Sequence, residues 1–94
     1  MYYKITKKEA ENIYEDAIKY SGYSVIDYVG YYCIYENEDQ NIAIAVNKSK
    51  DDFDGREYFS VYASYEPDQD GQWFFTDSLN KDELVNLILE EIAY

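Results

Sequence analysis

The chain contains no histidine, a single cysteine and only 8 basic residues against 20 acidic ones, and each shortage removes a class of function. Without imidazole there is no histidine general base, no histidine metal ligand and no triad built on one. Cys33 stands alone, so no internal disulfide and no CxxC pair can form, and structural zinc has no ligand set. Within its apolar run the Cys33 thiol is expected to be buried, in a reducing compartment. Gly22, Gly30, Gly55 and Gly71 are too scattered for a phosphate loop or a dinucleotide fingerprint. The shortage of Lys and Arg argues against direct nucleic-acid binding, because that affinity comes from basic side chains displacing counterions from phosphates. Anionic membranes are disfavoured on the same ground. No apolar run approaches the ~18 residues of a membrane span, and the N-terminal residues lack a signal peptide's apolar region. The expected location is cytoplasmic.

What remains is acidic and aromatic. The formal charge is -12, yet the chain carries 13 Tyr, 4 Phe and a Trp, and 47% of it is hydrophobic, unlike the composition of a disordered acidic segment. A folded chain of 94 residues makes one domain, spanning 1–94.

Thr6 and Glu9 have capping-box spacing, which predicts a helix start, and Ala10, Ile13, Tyr14, Ala17 and Ile18 form its apolar face. Gly22 is the expected stop. Residues 23–36 are rich in β-branched and aromatic side chains and read as strand, with Gly30 marking a bend, a bulge or a split into two. After a polar turn at 37–40, Ile42, Ile44 and Val46 alternate with Ala43 and Ala45, whose small side chains leave room for a helix to pack closely. Residues 48–57 read as a connection containing the Asp54–Gly55 turn pair. In 57–77, Phe59, Val61, Ala63 and Tyr65 alternate with Tyr58, Ser60, Tyr62 and Ser64, then Pro67 and Gly71 bracket a turn before Trp73, Phe74 and Phe75. That is a hairpin. Asn80 with Glu83 predicts a second capping box, with Leu79 and Leu84 as its staple, and Leu84, Val85, Leu87, Ile88, Leu89 and Ile92 form an apolar arc. The expectation is an α+β fold of order α-β-β-β-β-α: a four-stranded antiparallel meander flanked by N- and C-terminal helices that cover one face.

Carboxylates are the only abundant chemical groups, and twenty of them guarantee chance pairs, so no catalytic pair stands out and no enzyme is expected. Glu66, Asp68, Asp70, Gly71 and Asp77 fall at positions 1, 3, 5, 6 and 12 of a calcium-loop pattern. Glu at the first position, Asp at the last, Pro67 within and strand-like flanks favour a plain hairpin turn, with no metal and no cofactor. In a meander alternate turns share an end, which groups Glu36, Glu38 and Asp39 with Glu66, Asp68 and Asp70. Strands about 4.8 Å apart would space these carboxylates much as backbone phosphates are spaced. Asp51, Asp52, Asp54 and Glu57 lie at the other end, diluted by Lys48, Lys50 and Arg56. Tyr58 and Tyr62 share a strand face with Ser60 and Ser64, which are poor core residues, so that face is either an exposed recognition surface or a set of rings packed under a helix with their hydroxyls at the edge.

In size, charge and α+β plan, though in no motif, the chain resembles the small acidic inhibitors that phages encode against host defence nucleases, including anti-CRISPR and anti-restriction proteins; acidic bacterial immunity proteins and antitoxins share these features. The resemblance implies a non-enzymatic DNA mimic that blocks a basic, nucleic-acid-handling protein. The expected contact residues are Glu36, Glu38, Asp39, Glu66, Asp68, Asp70, Tyr58 and Tyr62. The alternative is a self-associating structural or calcium-binding module, with a homodimer formed through an exposed sheet or edge strand.

Overall fold

The computed structural model describes residues 3–20, 33–64 and 71–93. The elements run α1 (Lys7–Tyr20), β1 (Cys33–Asn37), β2 (Ile42–Lys50), β3 (Glu57–Ser64), β4 (Gln72–Phe75) and α2 (Lys81–Leu87), the last continued by one π-helical turn, Ile88–Ile92. The four strands form one antiparallel sheet in the order β1-β2-β3-β4. This is the expected α+β meander between two helices. Gly22, Gly30, the 23–32 part of the expected first strand, Tyr65 and Pro67 lie outside the described residues, as does the Cys33 side chain.

Both helix starts follow from side-chain caps, though not identically. At α1 the box closes in both directions: the Glu9 amide donates to Thr6 Oγ1 (3.1 Å) and the Thr6 amide to Glu9 Oε1 (2.9 Å). At α2 only half of it forms. Asn80 Oδ1 accepts from the Asp82 and Glu83 amides (2.8 and 3.2 Å), but Glu83 turns to the preceding bend, where Oε2 accepts from the Asp77 and Ser78 amides (3.0 and 3.1 Å). The Asn80 amide is satisfied by Ser78 Oγ instead (3.2 Å). Two amides near the helix start outbid one for a carboxylate.

Glu9 also joins helix to sheet, since Tyr35 of β1 donates its hydroxyl to Glu9 Oε2 (3.3 Å). The Thr6 amide, chiefly, holds the Glu9 carboxyl below its ordinary value of 4.5, with the Thr6 and Tyr35 hydroxyls adding and partial burial opposing. Burial, chiefly, raises the Tyr35 phenol, and the neighbouring Glu9 charge adds to it. A carboxyl depressed in the folded state contributes stability that is complete above its unfolded pKa and lost as pH falls through the folded one. Urea midpoints of the wild type should therefore fall from about pH 5 downward, and Glu9→Gln should flatten part of that slope. Identical slopes in the two proteins would remove Glu9 from the account.

The core lies between the helices and one sheet face. Ala10, Ile13 and Ala17 of α1 and Leu84, Val85, Ile88 and Ile92 pack with Ile42, Ile44, Val46, Phe59, Val61 and Ala63. Tyr14 meets Phe59 edge-on at 6.0 Å. Ile18, expected on the core face, is 41% exposed: it sits about 100° round the helix from buried Ala17, so the apolar stripe is narrower than the template. Helices pack on the Ile42, Ile44 and Val46 face, not on the small-residue face of Ala43 and Ala45, because larger side chains bury more apolar area.

β2 runs four residues past Val46, since Asn47, Lys48, Ser49 and Lys50 pair with Ser60, Phe59, Tyr58 and Glu57. The expected connection at 48–57 is thereby shortened to six residues, Asp51 to Arg56. At the other end of the hairpin β4 stops at Phe75, two residues before Asp77. Thr76 Oγ1 then takes over from the backbone ladder, accepting from the Phe59 amide (2.8 Å) and donating to the Ser78 carbonyl (2.6 Å). The β1–β2 turn is a short 3-10 segment capped by Asn37, with Asn41 left-handed at φ 55. Gln40 exchanges two hydrogen bonds with the Lys4 backbone, fastening the leading segment to this turn.

Candidate interaction surface

The cross-strand register assigns the paired residues of the sheet to a face, because residues directly opposite one another point the same way; Ile34, at an irregularity in β1, has no opposite residue. Away from the helices lie Glu36, Ala43 and Ser64 in one row and Ala45, Tyr62 and Trp73 in the next. Asn47, Ser60 and Phe75 follow, then Ser49 and Tyr58. β4 divides its three aromatics accordingly: Phe74 packs against the core, whereas Trp73 and Phe75 are 44% and 59% exposed.

These aromatics form two cross-strand pairs. Tyr62 and Trp73 have ring centroids 4.8 Å apart at a tilt of 58°, and Tyr58 and Phe75 meet at 6.1 Å and 62°. Ser60 lies between the pairs, enclosed to 1% exposure, with its hydroxyl 2.9 Å from that of Ser49. The Tyr62 hydroxyl accepts from the Gly71 amide (2.9 Å), tying the ring to the start of β4. The Arg56 guanidinium sits over the Tyr58 ring at 5.9 Å. So Tyr58 and Tyr62 share the face opposite the described helices, each half-buried beside an aromatic of β4. Trp73, Phe75 and Arg56 belong to the same surface and were absent from the expected contact set. The period of two across Trp73, Phe74 and Phe75 is the signal that places the outer two together.

Glu36, Glu38 and Asp39 are exposed at the β1–β2 turn. Glu36 and Glu38 line an open cleft of about 390 Å³ whose wall includes Ala43 and Ser64, at the edge of the aromatic face. Glu66, Asp68 and Asp70 lie outside the described residues. Ser64, which precedes them, pairs with Ala43, and Gln72, which follows, pairs with Ala63, so the β3–β4 connection leaves from and returns to the end that carries Glu36. Other exposed acids are spread more widely: Asp52, Asp54 and Glu57 at the opposite end, Glu15 on α1, and Asp82, Glu90 and Glu91 on the last helix and its π-turn. Lys81 bridges the helices, 3.7 Å from Glu11 Oε2 and over the Tyr14 ring.

β4 occupies positions 7 to 10 of the calcium-loop pattern, and the Asp77 amide is engaged with Glu83. Among the described residues no group of three or more His, Cys, Asp or Glu side chains could hold a metal, and no helix is long and apolar enough to cross a membrane.

The fold and surface together define an α+β domain with one face closed by helices and the other presenting paired aromatics. Comparison with protein families, curated proteins and solved structures gives no match to this chain.

Proposed function

We propose that this protein is a non-enzymatic acidic inhibitor that docks on the basic surface of a nucleic-acid-handling protein, such as a host-defence nuclease, through its open sheet face and the carboxylates at the Glu36 end. The observation that carries the reading is the exposure of Trp73 and Phe75, paired with Tyr62 and Tyr58, in a chain of charge -12. A few residues, with Trp, Tyr and Arg prominent among them, supply most of the affinity in protein interfaces, while charge of one sign speeds encounter with the opposite sign and suppresses wrong partners. A DNA mimic needs both, because carboxylates imitate phosphates only in charge and spacing.

The test is a pull-down from bacterial lysate with the tagged protein at low and moderate salt, followed by titration of the recovered protein. Recovery of a basic nucleic-acid enzyme, unaffected by nuclease and competed by DNA or RNA, is the expected result. Charge reversal at Glu36, Glu38 and Asp39 together should weaken that complex at least tenfold and reduce its salt dependence. Full affinity in the triple variant would move the site elsewhere.

The spread of exposed acids over both helices and both ends of the sheet favours a second reading, in which charge serves solubility and β4, an edge strand, pairs with a second copy. A dimer in light scattering, with no competition by nucleic acid, would establish it.

A further inference from the structure

The six residues from Asp51 to Arg56 make a hairpin tip whose backbone is almost fully engaged. Asp51 Oδ1 accepts from the Phe53 and Asp54 amides (2.7 and 3.3 Å), and the Asp51 carbonyl accepts from the Gly55 amide (3.0 Å). The Asp51 amide donates to the Arg56 carbonyl (2.9 Å), and the Arg56 amide to Asp54 Oδ1 (2.7 Å). Gly55, at φ 73, supplies the left-handed residue that closes the turn. None of these contacts uses the side chain of residue 53, which contributes only its amide. Yet that residue is Phe, and it is 100% exposed.

A single exposed apolar side chain is ordinary on a protein surface. Phe53 differs because the loop presents the whole ring on a backbone already ordered by five hydrogen bonds, between Asp52 and Asp54. Any residue with an amide would complete the turn, so the ring has no use in holding the tip together. An aromatic on a preordered tip binds without the cost of ordering a loop, which is how anchor residues reach high affinity. Exposed Asp52 and Asp54 flank the ring, while Lys50 passes the Gly55 side of the tip and Arg56 lies over Tyr58; in a chain of charge -12 a pocket mouth bearing Lys or Arg remains complementary, and a second copy is not. Arg56 connects the tip to Tyr58 and thence to Phe75, so the aromatic surface continues from the tip onto the open sheet face.

We infer that Phe53 is the anchor of this interface, inserted into an apolar pocket rimmed by basic side chains on the partner. This rests on the reading of the protein as an acidic inhibitor and adds to it the opposite end of the sheet from Glu36, Glu38 and Asp39.

The probe is the basic protein recovered in the pull-down, purified and titrated calorimetrically with wild type, Phe53→Ala, Phe53→Trp and Asp52→Lys. Because the Phe53 ring is fully exposed, wild type, Phe53→Ala and Phe53→Trp should melt alike. Phe53→Ala is expected to weaken binding on the order of thirtyfold, with Phe53→Trp recovering most of it. Asp52→Lys should lower the association rate and its salt dependence. A photoreactive benzoylphenylalanine at position 53 should cross-link the same protein. Phe53→Ala binding within twofold of wild type would overturn the anchor while leaving the inhibitor reading intact. An unaltered salt dependence in Asp52→Lys would overturn the basic rim. If wild type binds no basic protein at all, the inhibitor reading and the anchor fall together.

Discussion

Replacing Phe59 by Ala should remove about 3–5 kcal/mol of stability, the largest single loss expected anywhere in the chain. Phe59 is 0% exposed and lies under the helices, edge-on to Tyr14. Its backbone closes two hydrogen bonds with Thr76, so the strand cannot easily collapse into the space the ring vacates. A domain of this length has a total stability of about 5–14 kcal/mol. The repulsion within a chain of charge -12 places this one toward the lower part of that range at low salt. The variant should therefore be partly unfolded near physiological temperature and regain order as salt is added. Urea denaturation followed by circular dichroism measures the loss. Phe59→Leu should recover more than half of it, and a Phe59→Ala loss below about 1 kcal/mol would show that the core is not organised around this ring.

Gly71→Ala should be nearly as damaging, by about 2–4 kcal/mol, for the opposite reason: there is no room. A Cβ at Gly71 would overlap the Ala63 carbonyl oxygen and lie 2.8 Å from Tyr62 Cζ and 2.9 Å from the Ala63 carbonyl carbon. Two of those three atoms are backbone, so either β4 moves away from β3 or the Tyr62 ring gives up the Gly71 amide. Either movement disturbs the packing of Tyr62 against Trp73. Trp73 is the only tryptophan, so its fluorescence reports on β4 directly. The expected result is a shifted emission spectrum together with the stability loss. Wild-type emission and stability in Gly71→Ala would mean that the hairpin accommodates a methyl group and that close approach does not position Trp73.

The two variants separate the layers of the molecule. Phe59 serves the face closed by the helices, and Gly71 serves the open face, where partner contact is proposed. A partner titration on Gly71→Ala under conditions where it remains folded should show weaker binding, since the Tyr62 and Trp73 pair loses its fixed geometry before the carboxylates lose their charge.

Much of the framework was legible in the residues because it depends on local chemistry. Thr6 and Glu9 sit three residues apart whatever the remainder of the chain does, and the box they form marks the start of α1. The period of two in Phe59, Val61 and Ala63 predicts a strand with one buried face, and Asp54 with Gly55 predicts a turn where φ is positive. Charge, and the absence of histidine, are likewise properties of the sequence alone. Each of these is decided within a few residues, where the distance between interacting groups is set by the covalent chain.

Other features depend on what approaches from elsewhere. Residues 48 to 50 are polar and read as part of a connection, yet the register with β3 makes them strand, because backbone pairing is indifferent to side-chain polarity. Glu83 has capping-box spacing but finds two amides in the preceding bend. Ile18 fits the helical template but lies beyond the reach of the sheet. Nor could composition tell on which side of the sheet Tyr58 and Tyr62 lie relative to the helices; that needed both the side the described helices occupy and the alignment of β4, which brings Trp73 and Phe75 beside them. The sequence by itself determined the meander, the helix starts and the negative charge, since these follow from periodicity, capping and side-chain ionisation along the chain. Only the tertiary structure decided which face the described helices cover, which aromatics gather on the other and that Phe53 stands clear at the tip, because burial is a relation between segments distant in sequence.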